Sequence, residues 1–143
     1  MIPKFRAWLK GDKEMVDVDE IAFRTNWIRV FYELNYYWFK FDDVKLMQST
    51  GFFDENGKEI FEGDVLEIQG IKMIVRFGSY NYIETSKSGN YTLGIMCDGL
   101  GFYVECINVA DPDRISPFEP ETLKESAVIG NIYENKDILE EKE

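Results

Sequence analysis

Between Leu46 and Ile68 short apolar runs are separated by three turn signals, Thr50-Gly51, Asn56-Gly57 and Gly63-Asp64, and the stretch ends in Val65-Leu66-Glu67-Ile68. Apolar runs this short, punctuated by glycine, asparagine and aspartate, predict strands joined by tight turns. Gln69-Gly70 continues the pattern, so Val65–Ile68 and Ile71–Phe77 form a meander. In this reading Gly51, Asp54, Asn56, Gly57, Gly63, Asp64, Gly130 and Asn131 are turn residues, with Asp54 and Asp64 accepting backbone N–H bonds inside their turns.

Upstream, Lys4-Phe5-Arg6-Ala7-Trp8 alternates polar and apolar positions, Lys10-Gly11-Asp12-Lys13 turns, and Met15-Val16-Asp17-Val18 returns, which predicts a β-hairpin. Phe5 and Trp8 fall on opposite faces of an ideal strand, so one of them needs a bulge or a second packing partner. Asp19–Phe23 reads as one helical turn or a loop. The segment from Trp27 to Phe41 is dense in aromatics and predicts two strands around a turn near Asn35.

Downstream, Gly78-Ser79 predicts a break before a strand over Tyr80–Thr85, and Ser86–Asn90 a mobile loop. Asp98-Gly99 predicts a hairpin turn between Tyr91–Cys97 and Gly101–Val109, on whose strand Phe102, Val104 and Cys106 share a face. Asp111-Pro112-Asp113 and Ser116–Pro120 form a surface connection, and Glu121–Ser126 one helical turn. Val128–Tyr133 returns as a closing strand, and Asn135 caps a short C-terminal helix through Glu141.

Three of these blocks carry a resemblance. Lys4-Phe5-Arg6-Ala7-Trp8, the stretch from Leu46 to Ile68, and Val128-Ile129-Gly130-Asn131-Ile132-Tyr133-Glu134-Asn135 together resemble the YopX family of phage and prophage proteins, in order and over nearly the whole chain. That family has no established activity. The resemblance implies a small, mainly β protein whose main domain is an SH3-like barrel, carried by a phage or prophage and located in the cytoplasm of the bacterial host. With the strands above, the expected architecture is an N-terminal β-hairpin and aromatic segment over residues 1–45, followed over 46–143 by an SH3-like small barrel with a short C-terminal helix.

Composition and charge then narrow the chemistry. The chain has 143 residues, 45% of them hydrophobic and 15% aromatic, enough for one folded domain or a small domain with an appendage. No segment approaches the roughly 18 consecutive apolar residues of a membrane helix, and Met1-Ile2-Pro3-Lys4 leads directly into an alternating strand, so a soluble, non-exported protein is expected. The net charge is −11; residues 1–40 carry seven basic and six acidic side chains, which leaves −12 for residues 41–143. A field of that sign repels phosphate backbones and favours a basic protein partner from host or phage.

Histidine is absent, which removes the usual zinc sets and any Cys–His or Ser–His nucleophile pair, and Cys97 and Cys106 read as reduced core residues. Asp54, Glu59, Glu62 and Asp64 are the one carboxylate cluster with the chemistry of a hard-cation site, but their spacing is not that of a calcium loop. No Gly-rich phosphate loop occurs. No cofactor, metal or catalytic residue is therefore expected.

The leading expectation is a non-enzymatic interaction module that self-associates through its aromatic N-terminal part, with Trp27, Tyr36, Tyr37 and Trp38 as the candidate interface. Two alternatives stand beside it. One is a nucleic-acid-binding small barrel that stacks bases on these aromatics, disfavoured by the lack of a basic groove. The other is a small hydrolase acting through carboxylates.

Overall fold

The paired turn signals of the N-terminal half produce hairpins. The computed structural model describes residues 2–109 and 114–140, and it is mainly β with antiparallel pairing. The chain folds as two compact units, residues 1–51 and 52–143.

In the first unit, β1 (Phe5–Leu9), β2 (Glu14–Ala22), β3 (Trp27–Tyr32), β4 (Asn35–Lys40) and β5 (Val44–Phe53) are ordered β4-β3-β2-β1-β5. Ala7, Leu9, Val16, Ile28, Val30 and Val44 form its core. The alternation of β1 is kept without a bulge: Ala7 and Leu9 are buried on one face, and Trp8 lies half-buried on the other. Asp19–Ala22 is neither a helical turn nor a loop, and Phe23 opens the turn that follows. β2 runs on to Ala22, and a register shift between Val18 and Glu20 absorbs the extra residue.

The turn between β3 and β4 lies at Glu33-Leu34, next to Asn35, which is the first residue of β4. Glu33 and Leu34 both have positive φ, 50° and 66°, the backbone of a type I′ turn made without glycine. The twist of the flanking strands imposes that turn on residues that do not favour it.

In the second unit the end of β5 turns at Asp54–Lys58 into β6 (Glu59–Phe61), and the meander β7 (Asp64–Ile68), β8 (Ile71–Ser88), β9 (Tyr91–Cys106) and β10 (Ile115–Pro117) follows. After the one-turn helix α1 (Pro120–Leu123), β11 (Ala127–Asn131) returns antiparallel to β7, which makes the order β10-β9-β8-β7-β11. Ile60, Leu66, Met73, Val75, Val104, Cys106 and Leu123 form the core. Among the described residues β10 and β11 remain edges, so the sheet of the expected barrel is not closed.

The helical turn at 121–126 is α1, which starts at Pro120, where a missing N–H costs nothing. The C-terminal helix is a 3₁₀ segment, Lys136–Glu140; Glu141 lies outside the described residues, as does the connection Asp111-Pro112-Asp113. At the start of that segment the Asn135 backbone O accepts from Ile138 N at 3.1 Å. The Asn135 Oδ1 accepts from Asn131 N at 3.2 Å and so secures the end of β11.

The largest departure from expectation is in β8 and β9. They pair without interruption from Met73↔Cys106 to Ser88↔Tyr91, around a two-residue turn at Gly89-Asn90. Gly78-Ser79 is not a break, Ser86–Asn90 is not a loop, and Asp98-Gly99 is not a turn. Gly78 sits opposite Gly101, and the Tyr80 ring lies across Gly99, where a Cβ would come within 2.2 Å of Tyr80 Cζ. Gly78 and Gly101 have φ of 147° and 131°, which other residues rarely adopt, and Gly99 leaves room for a ring, roles inside a strand pair that local sequence does not separate from turn formation.

Candidate interaction surface

Strand alternation sorts the four candidate interface residues. Trp27, Arg29 and Phe31 on β3 face the same side as Trp38, Tyr36 and Lys40 on β4, through the pairs Trp27↔Lys40, Arg29↔Trp38 and Phe31↔Tyr36. Tyr37 pairs with Val30 and belongs to the opposite, core-facing side, where its ring meets Tyr32 edge-on at 6.2 Å. The structure therefore brings Trp27, Tyr36 and Trp38 together and separates Tyr37 from them. Phe31, not singled out in the sequence, joins the three.

This face is layered with cations. The Arg29 guanidinium lies 4.6 Å from the Tyr36 ring centroid and 6.0 Å from that of Trp38, and Lys40 Nζ lies 5.7 Å from Trp27. Phe31 and Tyr36 pack at 5.1 Å. Trp38 is 50% exposed, and Phe31 and Tyr36 are at least as open. Beside Trp38 a hollow of about 410 Å³ is lined by Ala22, Thr25, Trp27 and Trp38. Arg29 is also gripped from β2: its Nε donates to Asp19 Oδ2 at 2.8 Å, and it pairs with Glu20 at 2.7 Å. The hydrogen bond to Asp19 raises its pKa further, and the two carboxylates balance the guanidinium charge.

The turn residues of the second unit hold backbone. Asp54 Oδ1 accepts from Asn56 N (2.9 Å) and Lys58 N (2.8 Å), and Oδ2 accepts from Val128 N (2.9 Å), which ties the turn to β11. Gly57 N donates to Asp54 O at 3.1 Å. Asp64 Oδ2 accepts from Phe61 N at 2.8 Å, and Gly63 N donates to Val75 O at 2.7 Å. Thr50-Gly51 is not a turn: both residues lie inside β5, where Gly51 has a φ of 80° and its N donates to Ser49 Oγ at 3.0 Å. Gly130 marks a register shift in β11, and Asn131 Oδ1 accepts from Tyr133 and Glu134.

Burial pushes the Asp54 carboxyl up, but the three backbone donors outweigh it and hold it below the usual aspartate value. Glu105 likewise is raised by desolvation yet ends below its ordinary value, because Arg76 and Arg114 both bond it. Both carboxylates are held ionised, the opposite of what a general acid needs. Among the described residues no group of three or more Cys, Asp or Glu side chains is arranged to hold a metal ion. No helix among the described residues is long and apolar enough to cross a membrane.

A second surface is not visible in the local sequence pattern. β7 pairs with β8 only over Ile71–Ile74, and β10 with β9 only over Tyr103–Glu105, so from Ser79 to Leu100 the described strands pair solely with each other. On one face of this ribbon Tyr103, Tyr80 and Tyr82 pack in series at 4.7 and 5.7 Å. Cys97, Ile95, Leu93 and Tyr91 continue that face by alternation. The period-two run Tyr91, Leu93, Ile95, Cys97 was the available signal, hidden by the apparent turn at Asp98-Gly99.

Comparison with known proteins adds kinship without an activity. The model of the family described as YopX protein matches residues 4–140. The crystal structure of protein EF1440 from Enterococcus faecalis is similar at 24% identity, covering 98% of this chain and 99% of that one, with a TM-score of 0.51, a likeness of fold alone. No curated protein matches the chain.

Proposed function

We propose that this chain, which belongs to the YopX protein family, is a non-enzymatic interaction module that self-associates through the β3–β4 face. The observation that carries the reading is the exposed layer of Trp27, Phe31, Tyr36 and Trp38, within which Arg29 is already paired with Asp19 and Glu20. Aromatic residues around a guanidinium paired inside the surface suit a protein contact, because that ion needs no new partner when the surfaces meet. The same pairing weighs against base stacking.

The finer parts of the reading follow from kinship and charge. The gene is of phage or prophage origin and its product acts in the bacterial cytoplasm, as the family resemblance implies. The −12 of residues 41–143 serves a basic host or phage protein, whose binding weakens as salt rises. An SH3-like curl of the second unit is supported by its connectivity, in which four strands meander and a fifth returns, after a short helix, to the first.

Light scattering on the wild type and on Trp38→Asp tests the main statement. A central aromatic contact is worth about 2 kcal/mol or more, so the variant should dissociate at least about 30-fold more readily while its β circular dichroism is unchanged. An unchanged mass with an intact fold refutes the face as the contact.

A further inference from the structure

We infer that the outer edge of β9 between Tyr91 and Cys97 is a strand-pairing site for a second copy of this chain, β9 running antiparallel to its copy about a two-fold axis. The contact is separate from the β3–β4 face. It rests on three features of the ribbon: an unprotected edge, its charge, and the contrast between its two strands.

Every strand of a two-stranded ribbon is an edge strand, with one row of backbone N–H and C=O groups turned away from its partner. Proteins normally guard such rows with charge or proline. The β8 side is guarded, since Glu84 and Lys87 fall within its outer half. The β9 side is not: Tyr91-Thr92-Leu93-Gly94-Ile95-Met96-Cys97 contains no charged residue and no proline. Its side chains are also open to solvent, Tyr91 by 75%, Leu93 by 55% and Ile95 by 57%. This is an edge built to be covered.

Charge selects the occupant. The chain as a whole carries −11 and resists its own approach, but residues 79–100 hold only Glu84, Lys87 and Asp98, and residues 91–97 hold nothing. The ribbon is thus a place where two copies can meet with little repulsion. A basic protein would find no complementary charge on this edge, and a phosphate backbone would find only Lys87. Antiparallel pairing of β9 with itself is isologous and therefore closes at two strands of each kind, giving the sheet β8-β9-β9-β8. Tyr91, Leu93 and Ile95 of both copies then lie on one continuous face and cover one another across the junction.

Amide hydrogen exchange on the full chain tests this, with Trp38→Asp as the background so that the β3–β4 face contributes nothing. Exchange at residues 91–97 should slow at least about tenfold as the chain is raised from about 1 to about 100 µM, while the outer amides of β8 change little. Ile95→Lys, at an exposed position the fold does not need, should abolish that slowing and lower the mass seen by light scattering; Leu93→Lys should do the same. Exchange independent of concentration, or Lys variants that behave as their parent, overturns the pairing. Protection that appears only when a bacterial lysate is added also overturns it, and assigns the edge to a foreign strand. Because both arms lack the Trp38 contact, failure here leaves the β3–β4 reading untouched, and the reverse holds as well.

Discussion

Asp54 joins three backbone N–H groups of the second unit through one side chain. It is 6% exposed, and its two oxygens satisfy three backbone donors, one of them 74 residues away. A hydrogen bond to a charged acceptor contributes about 1.5–3 kcal/mol, and three in one network do not add fully, so Asp54→Ala should cost about 3–5 kcal/mol. That is a large share of the roughly 5–15 kcal/mol by which domains are stable. Asp54→Asn keeps one acceptor oxygen and turns an NH₂ toward an N–H, so about 2 kcal/mol should be lost.

The pH dependence has a definite sign. The folded carboxyl lies below its unfolded value, so its contribution is fully present above the ordinary aspartate pKa of about 3.9 and is lost as pH falls through the lower, folded value. The difference between wild type and Asp54→Asn should therefore be constant near neutrality and shrink below about pH 4. Urea unfolding by far-ultraviolet circular dichroism is the assay, with exchange at the amides of Asn56, Lys58 and Val128. Tryptophan fluorescence serves as a contrast, since Trp8, Trp27 and Trp38 all lie in the first unit. A stability gap under about 1 kcal/mol for Asp54→Ala, or Val128 protection equal to wild type, would show that Asp54 does not tie the turn to β11.

Two further substitutions test the turns and the ribbon. Leu34→Gly relieves a positive φ at a residue whose side chain is 87% exposed, and should stabilise the first unit by about 1 kcal/mol, read as a raised unfolding midpoint by tryptophan fluorescence; a lowered midpoint counts against the type I′ turn. Gly99→Val places a Cβ where the Tyr80 ring lies, so the ring must leave Tyr103, at a cost of about 1 kcal/mol and with a loss of near-ultraviolet tyrosine dichroism. An unchanged near-ultraviolet spectrum would show that Tyr80 does not rest on Gly99.

Legibility followed the range of the interactions. The hairpin of β1 and β2 and the Gln69-Gly70 turn depend on residues adjacent in sequence, and each lies where the pattern placed it. Gly78, Asp98 and Gly99 misled, because a glycine that leaves room in a strand for a facing ring and a glycine that turns the chain look alike until the facing strand is known. Among the candidate interface residues the aromatic density at Trp27–Phe41 and a turn near Asn35 were plain, but strand alternation puts Tyr37 on the other face from Tyr36 and Trp38.

Residue identity and short spacing were enough for the β class, the family kinship, the acidic balance and the turn chemistry around Asp54. They were not enough to show that β8 and β9 are one uninterrupted ribbon, that Arg29 is already neutralised, or that Asp54 reaches Val128. Those outcomes depend on pairing between residues up to 74 apart, where loop closure and register are settled by the sum of the packing and not by any local signal.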